Sequence, residues 1–191
     1  MKTLDELVKI YNRNYAKDED YKVSEFKNKS KSFDELIKDA VFGIDPYLKR
    51  DRHQSRIPKK TLEEMVVKLK DTAIMQEITK TKSFDDIFAI IYESKINNFG
   101  PLAVYDTSLR LGAIFGYYPT VVYLHQGALT GANALIGKNK VEEFSKYFCG
   151  DTNFPYISPE ILPKPLSDME PYHIENFLCI NKDKFIISSN V

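Results

Sequence analysis

Two charged side chains, Asp106 and Arg110, interrupt an otherwise uncharged stretch of 42 residues over 96–137. Their i,i+4 spacing places them side by side on one face of a helix. An arginine can bind a phosphate or carboxylate through two parallel hydrogen bonds, and a neighbouring aspartate can orient the ligand or act as a base. The same pair could instead be structural, because buried opposite charges neutralise each other. Both interpretations stay open at this point.

A histidine lies in the same stretch, beside a glycine-rich turn. His125 is followed by Gln126 and Gly127, and Thr130 comes about one helical turn later. An imidazole titrates near neutral pH and can act as a general base, and glycines let a backbone approach a ligand closely. We predict a pocket with catalytic residues Asp106, Arg110 and His125 and ligand-binding residues Tyr105, Gln126, Gly127 and Thr130. The alternative is that His125 is an ordinary core residue.

The segment 47–60 carries the strongest local charge imbalance of the chain. Its basic side chains face one acid, Asp51. Clustered basic residues contact the phosphates of nucleic acids. We predict such contacts at Lys49, Arg50, Arg52, Arg56, Lys59 and Lys60. A solvated basic loop balanced by acidic helices is the alternative. His53 within the segment could be functional, with an exposed loop histidine as the default interpretation.

A tight turn is predicted where Asn98-Phe99-Gly100 precedes Pro101. Proline suits the first position of a helix, and asparagine tolerates left-handed backbone better than most residues. This short segment resembles a helix-hairpin-helix motif, whose hairpin usually reads Gly-apolar-Gly; Asn98 departs from that pattern. The resemblance implies that backbone at Asn98 and Gly100, with the following helix N-terminus, holds a DNA phosphate. An ordinary corner between two helices would use the same residues.

Several helices must position these groups. The capping-box pattern, a hydroxyl residue followed three positions later by glutamate, predicts helix starts at Thr3, Ser32 and Thr61, with a weaker version at Ser83. Proline positions predict further helices over about 101–116, 119–126 and 171–178.

The chain changes character at Gly150, after which five prolines punctuate the sequence. Such spacing predicts an extended segment pinned by proline. We therefore predict a mainly α fold, a compact multi-helix domain over 1–149 that contains the hairpin-like corner. The proline-rich segment 150–191 is predicted to pack on the same domain.

The composition of the chain bears on its partners, its metal content and its location. Lys+Arg and Asp+Glu both number 27, so no global charge bias favours nucleic acid or an anionic membrane. Cys149 and Cys179 form no metal-ligand motif, and no run approaches the roughly 20 apolar residues that cross a bilayer. We expect a soluble cytoplasmic protein with no metal, no cofactor and no membrane association.

Three functions remain open from the sequence. The leading hypothesis is nucleic-acid association through the hairpin-like turn and the basic segment. The second is a small-molecule site or enzyme pocket built on Asp106, Arg110 and His125. The third is a protein–protein interaction module, binding a partner or a second copy of the chain through its glycine-rich helices.

Overall fold

A computed structural model describes residues 2–27, 30–44, 49–51 and 53–185. This part of the chain is mainly helical, which confirms the predicted fold class. The helices are α1 (Leu4–Tyr11), α2 (Lys17–Ser24), α3 (Phe33–Phe42), α4 (Lys59–Leu69), α5 (Thr72–Lys80), α6 (Phe84–Ser94), α7 (Pro101–Phe115), α8 (Gln126–Ile136), α9 (Lys138–Phe144) and α10 (Pro171–Asn181). The strands are β1 (Val122–Tyr123), β2 (Lys146–Tyr147) and β3 (Pro155–Ile157). In the ranges described, every helix falls short of the length and hydrophobicity of a membrane-spanning segment.

The chain divides into two compact units. One is Asp20–Tyr118, and the other combines Met1–Glu19 with Pro119–Val191. The boundary near residue 19 falls within α2. The proline-rich residues after 150 thus share a unit with the N-terminal helix α1 and with α8 and α9.

Helix α7 forms the centre of the Asp20–Tyr118 unit, where α3 and α6 pack against it. Its side chains Val104 and Leu111 are fully buried, as are Ile37 of α3 and Phe88 of α6. Burial on several sides explains why the sequence of α7 is so poor in charge. The helix begins at Pro101, as predicted, and ends at Gly116 in left-handed backbone with φ of 79°.

The predicted helix starts are mostly confirmed. Thr3 and Ser32 form complete capping boxes with the glutamates three residues later, and the Ser83 side chain accepts a hydrogen bond from the Asp86 amide. The prediction at Thr61 is wrong. Helix α4 already begins at Lys59 after Pro58, so Thr61 is an interior position and is buried.

The second unit contains a small antiparallel sheet in the order β1-β3-β2. Val122 pairs with Ile157, and Tyr156 pairs with both Tyr123 and Lys146. The predicted helix over 119–126 is therefore wrong, because Val122 and Tyr123 form β1. β-branched and aromatic residues favour strands, and the partner strand lies in the proline-rich segment that was predicted to be extended.

Two glycines of this unit serve helix packing. A Cβ at Gly127 would collide with Cys179 Sγ, and one at Gly131 would collide with the Leu178 carbonyl oxygen. Both glycines lie on α8, and Cys179 and Leu178 lie on α10. The absence of side chains at these positions lets the two helices approach closely.

Candidate functional site

A loop anchored at the end of α3 supplies the first residues of a polar cluster. Gly43 ends α3 in left-handed backbone with φ of 63°, a conformation that glycine adopts without strain. The Asp51 amide donates a 2.6 Å hydrogen bond to the Gly43 carbonyl. A Cβ at Gly43 would lie 2.9 Å from Asp51 Cβ and 3.0 Å from Gln54 Oε1. Glycine is therefore required here for both conformation and space.

Gln54 joins this loop to α7. Its side chain is fully buried, and its Nε2 donates to Asp106 Oδ2 over 3.2 Å. Its Oε1 accepts a 3.5 Å hydrogen bond from Arg110 Nη2. One amide thus contacts both members of the Asp106 and Arg110 pair. We call Asp51, His53, Gln54, Asp106 and Arg110 the polar cluster.

The Arg110 guanidinium contacts the last turn of α3 and the side chain of Asp51. Nη1 donates to the Ala40 carbonyl in the last turn of α3 over 3.2 Å. Nη2 lies 3.2 Å from Asp51 Oδ2. The Arg110 side chain is only 13% exposed, so these contacts satisfy a charge that would be costly to bury alone. Arg110 therefore has a structural role, because it joins α7 to α3 and to Asp51.

His53 lies between two carboxylates. Its Nδ1 is 3.5 Å from Asp106 Oδ2 and 3.8 Å from Asp51 Oδ1, and its amide donates to Asp51 Oδ1 over 2.8 Å. The hydrogen-bonding interaction with Asp106 raises the pKa of His53 above its ordinary value. Partial burial opposes this shift, the two carboxylate charges add to it, and the Arg110 charge lowers it. The imidazole consequently retains its positive charge to higher pH than an isolated histidine does.

A cavity of 270 Å³ borders the polar cluster. Its walls come from the loop and from the start of α7: His53, Gln54, Ile57, Asn98, Gly100, Pro101, Leu102 and Ala103. Gly100 is the N-cap of α7 and supplies no capping side chain. The Val104 amide donates the first helical hydrogen bond, to the Gly100 carbonyl. The amides of Leu102 and Ala103 precede it and therefore have no acceptor within the helix.

The predicted hairpin turn borders the same cavity. Asn98 has φ of 67°, the left-handed conformation expected at this position. Phe99 anchors the turn with a side chain that is 2% exposed, and Gly100 is exposed. The backbone conformation of the turn is as predicted, while its membership of the helix-hairpin-helix family stays a prediction.

The basic residues of segment 47–60 have varied surroundings. Lys49 and Arg56 are exposed, and the Arg50 guanidinium lies 5.3 Å from the centre of the Phe42 ring. Lys59 and Lys60 pair with Glu63 and Glu64 one turn further along α4, at 3.3 and 3.7 Å. These acids reduce the local positive charge. Arg52 lies outside the described residues.

His125 and its predicted neighbours belong to the other unit. His125 is buried at the N-cap of α8 and stacks on Tyr123, with ring centres 6.4 Å apart. Gln126 and Thr130 are exposed, with the Thr130 hydroxyl donating to the Gln126 carbonyl. Gly127 packs against α10. Every residue of the polar cluster lies in the Asp20–Tyr118 unit. Tyr105, a predicted ligand-binding residue, also lies in this unit and is buried against Phe84.

Sequence reasoning missed Asp51 and Gln54, and it left His53 as a default surface residue. One signal was visible: Asp51 is the lone acid of a strongly basic segment. A carboxylate among cations has a ready ion-pair partner, yet the sequence could not show that this partner is Arg110 of α7.

Comparison of the chain with protein-family models, with curated proteins and with solved structures found no match in any of the three. No relative therefore assigns a role to the residues of the polar cluster. What the cluster can do follows from its own chemistry. It combines two carboxylates with an imidazole whose pKa is raised, and it lies beside a cavity that also borders the uncapped N-terminus of α7.

Proposed function

We propose that the Asp20–Tyr118 unit binds a small phosphate ester in the cavity at the N-terminus of α7. The observation that carries this proposal is that one cavity is lined both by His53 and by the uncapped first turn of α7. Helix N-termini bind anions because their free amides and the helix dipole both favour negative charge.

His53 supplies a second, independent attraction for an anion. Its raised pKa favours the imidazolium form, which offers N–H donors and a positive charge. The carboxylates of Asp51 and Asp106 would repel an anion. The Arg110 guanidinium lies 3.2 Å from Asp51 and offsets its charge, and the protonated His53 ring faces Asp106 and offsets the charge there.

The remaining walls of the cavity favour an organic phosphate over the inorganic ion. Ile57, Pro101 and Leu102 give the cavity an apolar side, which suits the carbon skeleton of an ester. A volume of 270 Å³ lies just below the range of small-molecule sites, which begins at about 300 Å³. The ligand is therefore expected to be small.

The test is an NMR titration of the metal-free protein with glycerol 3-phosphate, with glycerol as the uncharged control. Binding in the cavity shifts the amide signals of Leu102 and Ala103 and the ring signals of His53. Glycerol leaves these signals in place. Absence of shifts with glycerol 3-phosphate, or shifts confined to distant residues, contradicts the proposal.

A nucleic acid is the second candidate ligand, because the turn 98–100 borders the same cavity and resembles a DNA-binding hairpin. Exposed Lys49 and Arg56 would bind neighbouring phosphates. Binding of labelled single- and double-stranded DNA and RNA at two salt concentrations tests this. A double variant, Lys49→Ala with Arg56→Ala, should weaken binding and reduce its salt dependence, because each phosphate that a cation neutralises in duplex DNA adds about 0.9 to the slope of log affinity against log salt. No binding at low salt contradicts the second candidate and leaves the first intact.

A further inference from the structure

We propose that Asp51, His53 and Asp106 bind one divalent transition-metal ion, of which Zn²⁺ is the representative. Each residue offers one ligand atom, and the three atoms lie within 4.8 Å of one another. The inference goes beyond the proposed function, since it rests on these donor atoms rather than on the anion cavity. The sequence predicted no metal site, because the ligands come from two segments that only the fold brings together.

The separations suit a shared ion. His53 Nδ1 lies 3.5 Å from Asp106 Oδ2 and 3.8 Å from Asp51 Oδ1. Two ligands at about 2.1 Å from a tetrahedral zinc ion lie about 3.4 Å apart. All three atoms lie within 4.8 Å of one another, so binding requires side-chain rotations that draw them closer together. A proton on His53 Nδ1 is released to solvent when the ion binds, because a ligating imidazole nitrogen carries no proton.

The two carboxylates are oriented by other groups, as metal ligands usually are. Asp51 Oδ2 contacts Arg110, while its Oδ1 faces His53. Asp106 Oδ2 accepts a hydrogen bond from the fully buried Gln54. Arg110 thus engages the Asp51 oxygen opposite to the one that faces His53.

The ligand set selects the class of ion. An imidazole nitrogen with carboxylate oxygens suits zinc and its transition-metal neighbours, whereas magnesium and calcium prefer oxygen alone. Three protein ligands leave a fourth position for water or for a ligand. His53 lines the cavity, so that position is open to an anion bound there.

The test is a titration of the tag-free, metal-free protein with Zn²⁺ in buffer without phosphate, followed by isothermal calorimetry and by NMR of the histidine rings. The chain has three histidines. We expect one equivalent of Zn²⁺ to bind and to shift the ring signals of His53, while those of His125 and His173 stay in place. Mg²⁺ should leave the His53 signals unchanged.

Variants locate the ion. His53→Gln and Asp106→Asn should each weaken Zn²⁺ binding more than about tenfold. The matched control Asp34→Asn alters a carboxylate on α3 that pairs with Lys70 at 3.2 Å, and it should bind like the wild type. Cys149→Ser, which removes an exposed thiol, should also bind like the wild type.

Two outcomes would overturn the inference. One is the absence of Zn²⁺ binding to the wild type, and the other is binding that leaves the His53 ring signals unmoved. Both readouts use the wild-type protein, so they hold even if a variant fails to fold. Because phosphate-ester binding is measured separately on the metal-free protein, loss of the metal site and loss of the anion site are distinguishable.

Discussion

The Nδ1 atom of His53 lies 3.5 Å from Oδ2 of Asp106, which joins the loop after α3 to the middle of α7. This contact orients the imidazole at the edge of the cavity. It also favours the protonated form of the imidazole, next to the start of the helix that would hold a phosphate. The geometry of the site therefore depends on a pair whose members lie far apart in the sequence.

Asp106→Asn should lower the pKa of His53, because the interaction with the Asp106 carboxylate is the largest contribution that raises it. The measurement is an NMR pH titration of the His53 ring in metal-free protein with EDTA. Asp34→Asn is the control and should leave the His53 titration unchanged. An equal pKa in the wild type and Asp106→Asn would show that the pair is not coupled.

The same shift has a consequence for stability. The folded-state pKa of His53 lies above the ordinary value of 6.5, so the pair stabilises the protein in full below that pH. This contribution is lost as the pH rises through the folded-state pKa. Urea unfolding of the wild type and Asp106→Asn should therefore show a stability difference that shrinks with increasing pH. A difference that grows instead would contradict the assigned sign.

Gly43→Ala should destabilise the protein more than Gly116→Ala. Both glycines end helices in left-handed backbone, with φ of 63° and 79°, so each substitution carries the same conformational cost of about 1–2 kcal/mol. Only at Gly43 would the new Cβ crowd Asp51 and Gln54; at Gly116 it meets open space. The difference in stability between the two variants, measured by urea unfolding, gives the cost of the crowding. Equal losses of stability would mean that the loop moves aside freely.

Arg110→Met should destabilise the protein by about 3 kcal/mol, since it leaves a carboxylate and a carbonyl without their cationic partner. Arg56→Met is the matched control, because Arg56 is exposed. Its effect should stay within about 0.5 kcal/mol. Both values come from urea unfolding. If Arg110→Met loses as little stability as Arg56→Met, Arg110 does not have the structural role assigned to it.

The helical parts of this protein were predictable because their signals are local. A capping hydroxyl, as at Ser32, and a proline at the first helical position, as at Pro101, act within one turn. Strand β1 was missed because its partner β3 lies some 30 residues further along the chain, and local pattern does not reveal such pairing.

The candidate site was predicted in part. Asp106 and Arg110 were noticeable as rare charges on an apolar helix, and the turn at Asn98 followed from its residue types. Their link to Asp51 and Gln54 depends on contacts between residues more than 50 positions apart, which only the folded chain brings together. No residue near Asp106 in the sequence carries that information. His125 was grouped with this pair from composition alone, yet it belongs to the other unit.

Substitution at Gly100 tests most directly whether the first turn of α7 holds a phosphate. Gly100 has φ of −76° and ψ of 177°, and a Cβ there meets open space. An aspartate at this position can cap the helix with its own carboxylate, which occupies the amides and repels an anion. Alanine at the same position adds the Cβ without the charge.

The measurement is the affinity for glycerol 3-phosphate of the wild type, Gly100→Ala and Gly100→Asp, with urea unfolding as the check on folding. We expect Gly100→Ala to bind close to the wild-type affinity. Gly100→Asp should lose binding, while its free energy of unfolding stays equal to that of the wild type or rises by about 0.3 kcal/mol. If Gly100→Asp binds glycerol 3-phosphate as well as Gly100→Ala does, the phosphate does not lie at the N-terminus of α7.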